Sequence, residues 1–180
     1  MTRSRYRFLG NEAPYFLTMT INHWLPVFTR PETVDVILNS WRHLQQIHGL
    51  RIQGYVILEN HLHLIGRSPG IDNDIQRFKS YTAKGLIEVL EAAGAHRLLG
   101  MLRLFKAAHK VQSTYQVWEE GSHPQRIDHE DVMRQKLDYV HYNPVKRGYV
   151  DLPEHWRWSS ARNYLGQPGL IAVDTGWLGS

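Results

Sequence analysis

Two apolar runs, Ile52 to Leu58 and His61 to Ile65, are separated only by Glu59-Asn60. A two-residue connection between such runs is the signature of a tight β-hairpin, which fixes an antiparallel strand pair before anything else is known of the chain. The elements around it follow from periodicity. Tyr15-Phe16-Leu17-Thr18-Met19-Thr20-Ile21 is aromatic and β-branched and predicts a central strand. Pro31-Glu32 opens a helix in which Val34, Leu38, Trp41 and Leu44 recur at helical spacing until Gly49 closes it. A second helix is predicted over Asp72 to Ala93, with Ile75, Phe78, Thr82, Leu86 and Val89 as its apolar stripe. Gly94 to Gln116 reads either as a mobile segment or as an ordinary helix with a basic face. Trp118 to Ile127 reads as a short strand with a Gly-Ser turn, and Asp128 as the N-cap of a third helix that runs through Leu137 and Val140 until Pro144.

The order strand, helix, strand, strand, helix, strand, helix predicts an α+β fold, a ferredoxin-like sandwich with helices packed on an antiparallel sheet. At 180 residues, with no internal repeat or linker, the chain reads as one domain over 1–180. Its aromatic C-terminal tail, with Trp156, Trp158 and Tyr164, is expected to pack on the body. Apolar stretches such as Tyr55-Val56-Ile57-Leu58 fall far short of the roughly 20 residues that cross a bilayer, so no membrane partner is expected. Met1-Thr2-Arg3-Ser4-Arg5-Tyr6-Arg7 is basic but no apolar stretch of a secretory signal follows, which points to the cytoplasm. The absence of cysteine excludes disulfides, thiolate metal sites and cysteine nucleophiles together. A metal could be held only by His, Asp, Glu, Asn or Gln.

A formal charge of +4 is a mild bias toward polyanions. Local grouping strengthens it. Basic residues gather at Arg3, Arg5 and Arg7, at Arg77, Lys79 and Lys84, through Arg97, Arg103, Lys106 and Lys110, and at Lys146 and Arg147. Tyr6, Phe8, Phe78, Tyr81 and Phe105 lie among them and could stack on unpaired bases, or back a solvated helix face as core.

Two constellations could carry chemistry. In His61-Leu62-His63, strand alternation puts both imidazoles on one face, where they could share a hard or borderline divalent ion or stand half-exposed on a solvated sheet. In Asp138-Tyr139-Val140-His141-Tyr142-Asn143-Pro144, Tyr139 and Asn143 are four apart and present a phenol and an amide on one helical face. Tyr142 is the rival phenol, three positions on, and the helical turn keeps the two rings from facing one point equally. Tyr81 is read as core or as a base-stacking platform, and His129 and His141 as surface or capping residues.

Leu58-Glu59-Asn60-His61-Leu62-His63-Leu64-Ile65, then Phe78-Lys79, then Asp138 to Gly148 together resemble the HUH single-tyrosine transposases, in particular the REP-associated tyrosine transposases. Trp156-Arg157-Trp158-Ser159-Ser160-Ala161 resembles the segment that follows in that branch, so the likeness spans Tyr6 to Tyr164. Glu59 departs from it, since Pro is usual before the Asn-His pair; an altered turn rather than altered chemistry is expected.

The resemblance implies an HUH-type sandwich that cleaves and rejoins single-stranded DNA at REP-type hairpins. His61 and His63 would bind a divalent ion, Mg2+ or Mn2+, with Asn143 completing the site. Tyr139 would be the nucleophile, forming a 5′-phosphotyrosine link and freeing a 3′-hydroxyl. A phenol is a weak nucleophile near neutral pH, with an ordinary pKa of about 10, so it needs a cation close by. Arg3, Arg5, Arg7, Arg77, Lys79, Lys84, Lys146 and Arg147 would contact DNA, with affinity falling as salt rises. Both monomeric and homodimeric action fit the resemblance. A non-catalytic hairpin-binding regulator is the competing expectation.

Overall fold

A computed structural model describes residues 8–10 and 13–179. Arg3, Arg5, Tyr6 and Arg7 lie outside the described residues. The elements in chain order are β1 (Tyr15–Thr20), α1 (Pro31–His48), β2 (Arg51–Ile57), β3 (His61–Arg67), α2 (Ile71–Ala92), α3 (His96–Leu104), β4 (Gln125–Arg126) and α4 (Glu130–Lys146), with short helical turns between and after them. The described sheet has four strands in the order β2-β3-β1-β4, and every pairing is antiparallel. Two interleaved βαβ units give this order, each helix spanning a strand that belongs to the other unit, and the predicted ferredoxin-like arrangement is what forms.

Alternation along the two central strands divides the core. Tyr15, Leu17, Met19 and Ile21 point with Leu62 and Leu64 to a face covered by α1 and α2, where Trp41 and Phe78 stack with ring centroids 5.8 Å apart. Phe16, Val56 and Ile65 point the other way, under Met133, Leu137 and Val140 of α4. β1 is central, and α1 ends as expected, with Gly49 in the left-handed region at φ 66° and its N–H on the Leu44 carbonyl. α4 lies close on β2 because Gly54 carries no side chain: a Cβ there would stand 2.5 Å from Leu137 Cδ2. Gly54 also sits where the β2–β3 register shifts, a bulge that lets the strand bend beneath the helix.

Three expectations are corrected. Of Trp118 to Ile127 only Gln125–Arg126 forms a strand, because Gly121 and His123 take positive φ (82° and 45°) and break the extended run. The stretch still follows β1, with Glu119 N on Thr20 O and Thr18 N on Ser122 O. Asp128 does not cap α4, which begins at Glu130 behind His129; its carboxylate pairs instead with Arg126 at 2.7 Å. Nor does Pro144 stop the helix, since a proline near a C-terminus forfeits only its own bond, and Arg147 N on Asn143 O and Tyr149 N on Pro144 O close the last turn. Gly94 to Gln116 resolves into α3 followed by a loop.

The tail covers the sheet edge at β2. Ile57 N bonds Trp158 O, Ser160 N bonds Tyr55 O, and the Trp156 indole N–H donates to Ile57 O. An exposed strand edge is a template for unwanted pairing, and this segment removes it.

Candidate active site

The register of β1 against β3 sets His63 opposite Thr18 and His61 opposite Thr20, on the face that α4 covers. Both histidines are buried, 3 % exposed each, so they are not the half-exposed pair that a bare His-x-His also allowed. Their rings meet at 5.1 Å between centroids. Each has one ring nitrogen fixed: His63 Nδ1 lies 2.9 Å from Thr18 Oγ1, and His61 Nδ1 lies 2.7 Å from Asn60 Oδ1. His63 Nε2 is buried and has no hydrogen-bond partner. Burial, followed by the charge of Arg147, holds the His61 imidazole down at about 4. Burial, followed by His61, Arg147 and Lys136, brings His63 to about 3. Both are therefore neutral near pH 7.

α4 brings the phenol. The Tyr139 ring stands edge-on to His63 at 5.2 Å and to Phe16 at 5.9 Å, while 42 % of the residue remains exposed. Tyr142 is 48 % exposed on a neighbouring stripe. One turn beyond Tyr139, Asn143 is buried, and its Oδ1 accepts from Arg147 Nε at 3.1 Å. Arg147 also donates to Glu59 Oε1 at 3.1 Å, which ties the end of α4 to the hairpin turn. Lys146 Nζ lies 5.9 Å from the centre of the Tyr139 ring.

A neutral imidazole with one nitrogen anchored and the other bare and buried is how a protein prepares a metal ligand. His61 and His63 offer nitrogen and Asn143 an amide oxygen, donor types that a divalent ion with mixed ligands takes. No cluster of three or more His, Asp or Glu residues suited to a metal exists among the described residues.

The remaining predicted DNA contacts are scattered. Lys84 is exposed on α2, on the opposite side of the sheet from α4. Arg77, on the same helix, pairs with buried Asp74 at 3.2 Å. Lys79 is turned inward, its ammonium donating to the carbonyls of Glu119 and Gly121 at 2.6 Å each, and burial lowers it to about 8. That lysine ties α2 to the loop before β4. Phe78 is core, whereas Tyr81 is 64 % exposed. His141 is neither a surface nor a capping residue: its Nε2 lies 2.8 Å from Ser160 Oγ, and burial brings it to about 4.

Three residues at the site, Thr18, Trp24 and Lys136, were not singled out from sequence, and Glu59 was read only as a turn position. Thr18 orients His63, Glu59 holds Arg147, Trp24 stands edge-on to His61 at 5.3 Å, and Lys136 lies with Nζ 4.5 Å over the Phe16 ring. Lys136 had a signal, since it precedes Tyr139 by three and so shares its helix face.

No family model matches the chain. A curated protein of Haemophilus influenzae (strain ATCC 51907 / DSM 11121 / KW20 / Rd), named as a REP-associated tyrosine transposase, is 28% identical over 104 residues, or 58% of this chain. The chain spans about half the length of that relative, 54%. A solved structure of a REP-associated tyrosine transposase bound to a REP hairpin matches 97% of this chain and 93% of that one, with a TM-score of 0.65 at 19% identity. The chain has that transposase's fold. The likeness read from the His-Leu-His hairpin and the Tyr139 helix thus extends across the sheet and its helices. No helix among the described residues is long and apolar enough to cross a membrane.

Proposed function

We propose that the chain nicks and rejoins single-stranded DNA at REP-type hairpins, with Tyr139 as the nucleophile and a divalent ion, Mg2+ or Mn2+, held by His61, His63 and Asn143. The observation that carries this reading is the Tyr139 ring standing 5.2 Å from His63, whose Nε2 is buried without a partner. A partly exposed phenol beside two neutral, oriented imidazoles has no structural purpose that an apolar pair would not serve better, since an unpaired buried nitrogen costs stability. The ion would act as a Lewis acid on the scissile phosphate.

The chain's own residues do the rest. Tyr139 attacks phosphorus, forms the 5′-phosphotyrosine link and releases a 3′-hydroxyl. Lys146, its Nζ 5.9 Å from the centre of the phenol ring, draws the DNA backbone toward Tyr139. Phe16, edge-on to the Tyr139 ring at 5.9 Å, forms the apolar side of the site, and the linked strand is then passed to a 3′-hydroxyl. The HUH transposase resemblance and the hairpin held by the structural neighbour support REP-type DNA as the substrate.

The test is incubation of the protein and its Tyr139→Phe variant with labelled single-stranded hairpins of varied flanks, in manganese or in EDTA, followed by denaturing gels. A denaturant-resistant protein–DNA band that needs both the metal and Tyr139 is expected. A band that survives in Tyr139→Phe, or none with any hairpin, overturns the proposal.

A further inference from the structure

Trp24 is 53 % exposed and contributes nothing to the core, yet its ring stands 5.3 Å from buried His61. It is held there by an unusual backbone. His23 and Trp24 both have positive φ, 54° and 56°, two consecutive non-glycine residues in the left-handed region that side chains disfavour. Glycine or asparagine would make the same turn with less strain.

The surroundings over-determine that conformation. Ile21 N bonds the carbonyl of Asn60, the residue before His61, at 2.9 Å, and Asn22 N bonds Val117 O at 2.7 Å. Buried Asn22 donates from its amide to Phe105 O at 3.1 Å, and the His23 ring stacks on Phe105 at 4.3 Å. Trp24 N closes the turn on Ile21 O at 2.8 Å. The indole therefore rides on the same backbone as the start of β3, and its position is tied to that of His61.

Arg147 and Lys146 give this end of the molecule positive charge, and Tyr139 opens to solvent there. A polyanion whose phosphate is drawn to Tyr139 carries its nearest bases along the rim of the site. A large, rigid, exposed aromatic at that rim is a stacking platform for one of them.

Resting on the function proposed above, we infer that Trp24 stacks on an unpaired nucleobase beside the scissile phosphate and so sets the position of the strand relative to Tyr139. Trp24 is in this sense a positioning residue that acts by holding the base.

The experiment measures equilibrium binding in EDTA, in a Tyr139→Phe background where no covalent capture occurs. The probes are fluorescent DNA hairpins with short single-stranded flanks, first with varied sequence and then, for the best binder, with abasic sites scanned through the flank. Trp24→Ala is expected to weaken binding about 5- to 150-fold, and Trp24→Phe less. At one flank position the abasic site should impose the same loss on the parent protein and no further loss on Trp24→Ala. Trp24→Gly should bind as weakly as Trp24→Ala while melting at a higher temperature, because glycine relieves the strain. If the two losses add at every position, or if Trp24→Ala binds like its parent, the inference is overturned. Failure of the Tyr139→Phe protein to bind any hairpin would instead sink the proposed function itself.

Discussion

Arg147 reaches back one turn along α4 to donate from Nε to Asn143 Oδ1 at 3.1 Å, and its outer nitrogen meets Glu59 at the same distance. The bond fixes which way the Asn143 amide points, with the carbonyl oxygen held rather than the NH2. Removing Arg147 frees the amide to rotate and leaves Glu59 without its partner. Residues that orient metal ligands typically change metal affinity or activity 10- to 100-fold when lost. Arg147→Ala should therefore weaken Mn2+ binding, measured by electron paramagnetic resonance on DNA-free protein, by about that factor. Glu59→Gln, which keeps a hydrogen-bond acceptor, should cost several-fold less. Equal Mn2+ binding by all three proteins would remove the link between Arg147 and the site.

Gly54 supplies a packing test. An added Cβ would fall 2.5 Å from Leu137 Cδ2, so Gly54→Ala has to push α4 away from the sheet that carries His63. Overpacking of this kind typically costs about 1–3 kcal/mol, or roughly 2–12 °C in melting temperature at this size. The double variant Gly54→Ala/Leu137→Ala should lose less than the sum of its parts, since each change makes room for the other. Simple additivity in thermal melts would mean that the helix does not rest on Gly54.

What the sequence disclosed here was whatever depends on near neighbours. The hairpin, the helix that ends at Gly49 and the shared face of Tyr139 and Asn143 follow from spacing, and all are present. Pro144 was misread because a local rule about proline ignores bonds made three and five residues later. Glu59 looked like a turn residue of no further consequence. Its partner, Arg147, is 88 positions away, and no periodicity encodes that distance. The same holds for Trp24, whose place beside His61 depends on Asn60, Val117 and Phe105 meeting around one turn. Lys79 shows the opposite error, a basic residue counted for DNA that fold contacts have taken inward.

Ser160 joins the tail to the body at one buried oxygen. Its Oγ accepts from Tyr55 N at 2.9 Å and lies 2.8 Å from His141 Nε2, so sheet edge, α4 and tail meet there. Ser160→Ala leaves the buried Tyr55 N–H without that partner, at about 1–3 kcal/mol, and takes the same oxygen from the half-buried His141 ring. The variant should melt well below the parent, whereas Ser160→Thr, which keeps the hydroxyl, should recover part of the loss. Unchanged melting of Ser160→Ala would mean that water replaces the serine and that the clasp is not a stability element.

Three histidines, His61 and His63 buried and His141 half-buried, should weaken the fold in acid. His61 and His141 are held at about 4 and His63 at about 3, each chiefly by burial, against about 6.5 in the unfolded chain. Between those values the unfolded state binds protons that the native state refuses. Their contribution to stability is therefore complete above about pH 6.5 and is lost as pH falls toward 4, and toward 3 for His63. Each histidine adds a slope of about 1.4 kcal/mol per pH unit inside its window. Denaturant unfolding at pH 7, 6, 5 and 4.5 should give stabilities that fall progressively more steeply below pH 6.5. His141→Phe removes one proton from the balance, and its slope near pH 5 should be shallower than the parent's by about one histidine, even though its stability at pH 7 is lower. An identical slope in the two proteins would mean that His141 titrates normally in the native state.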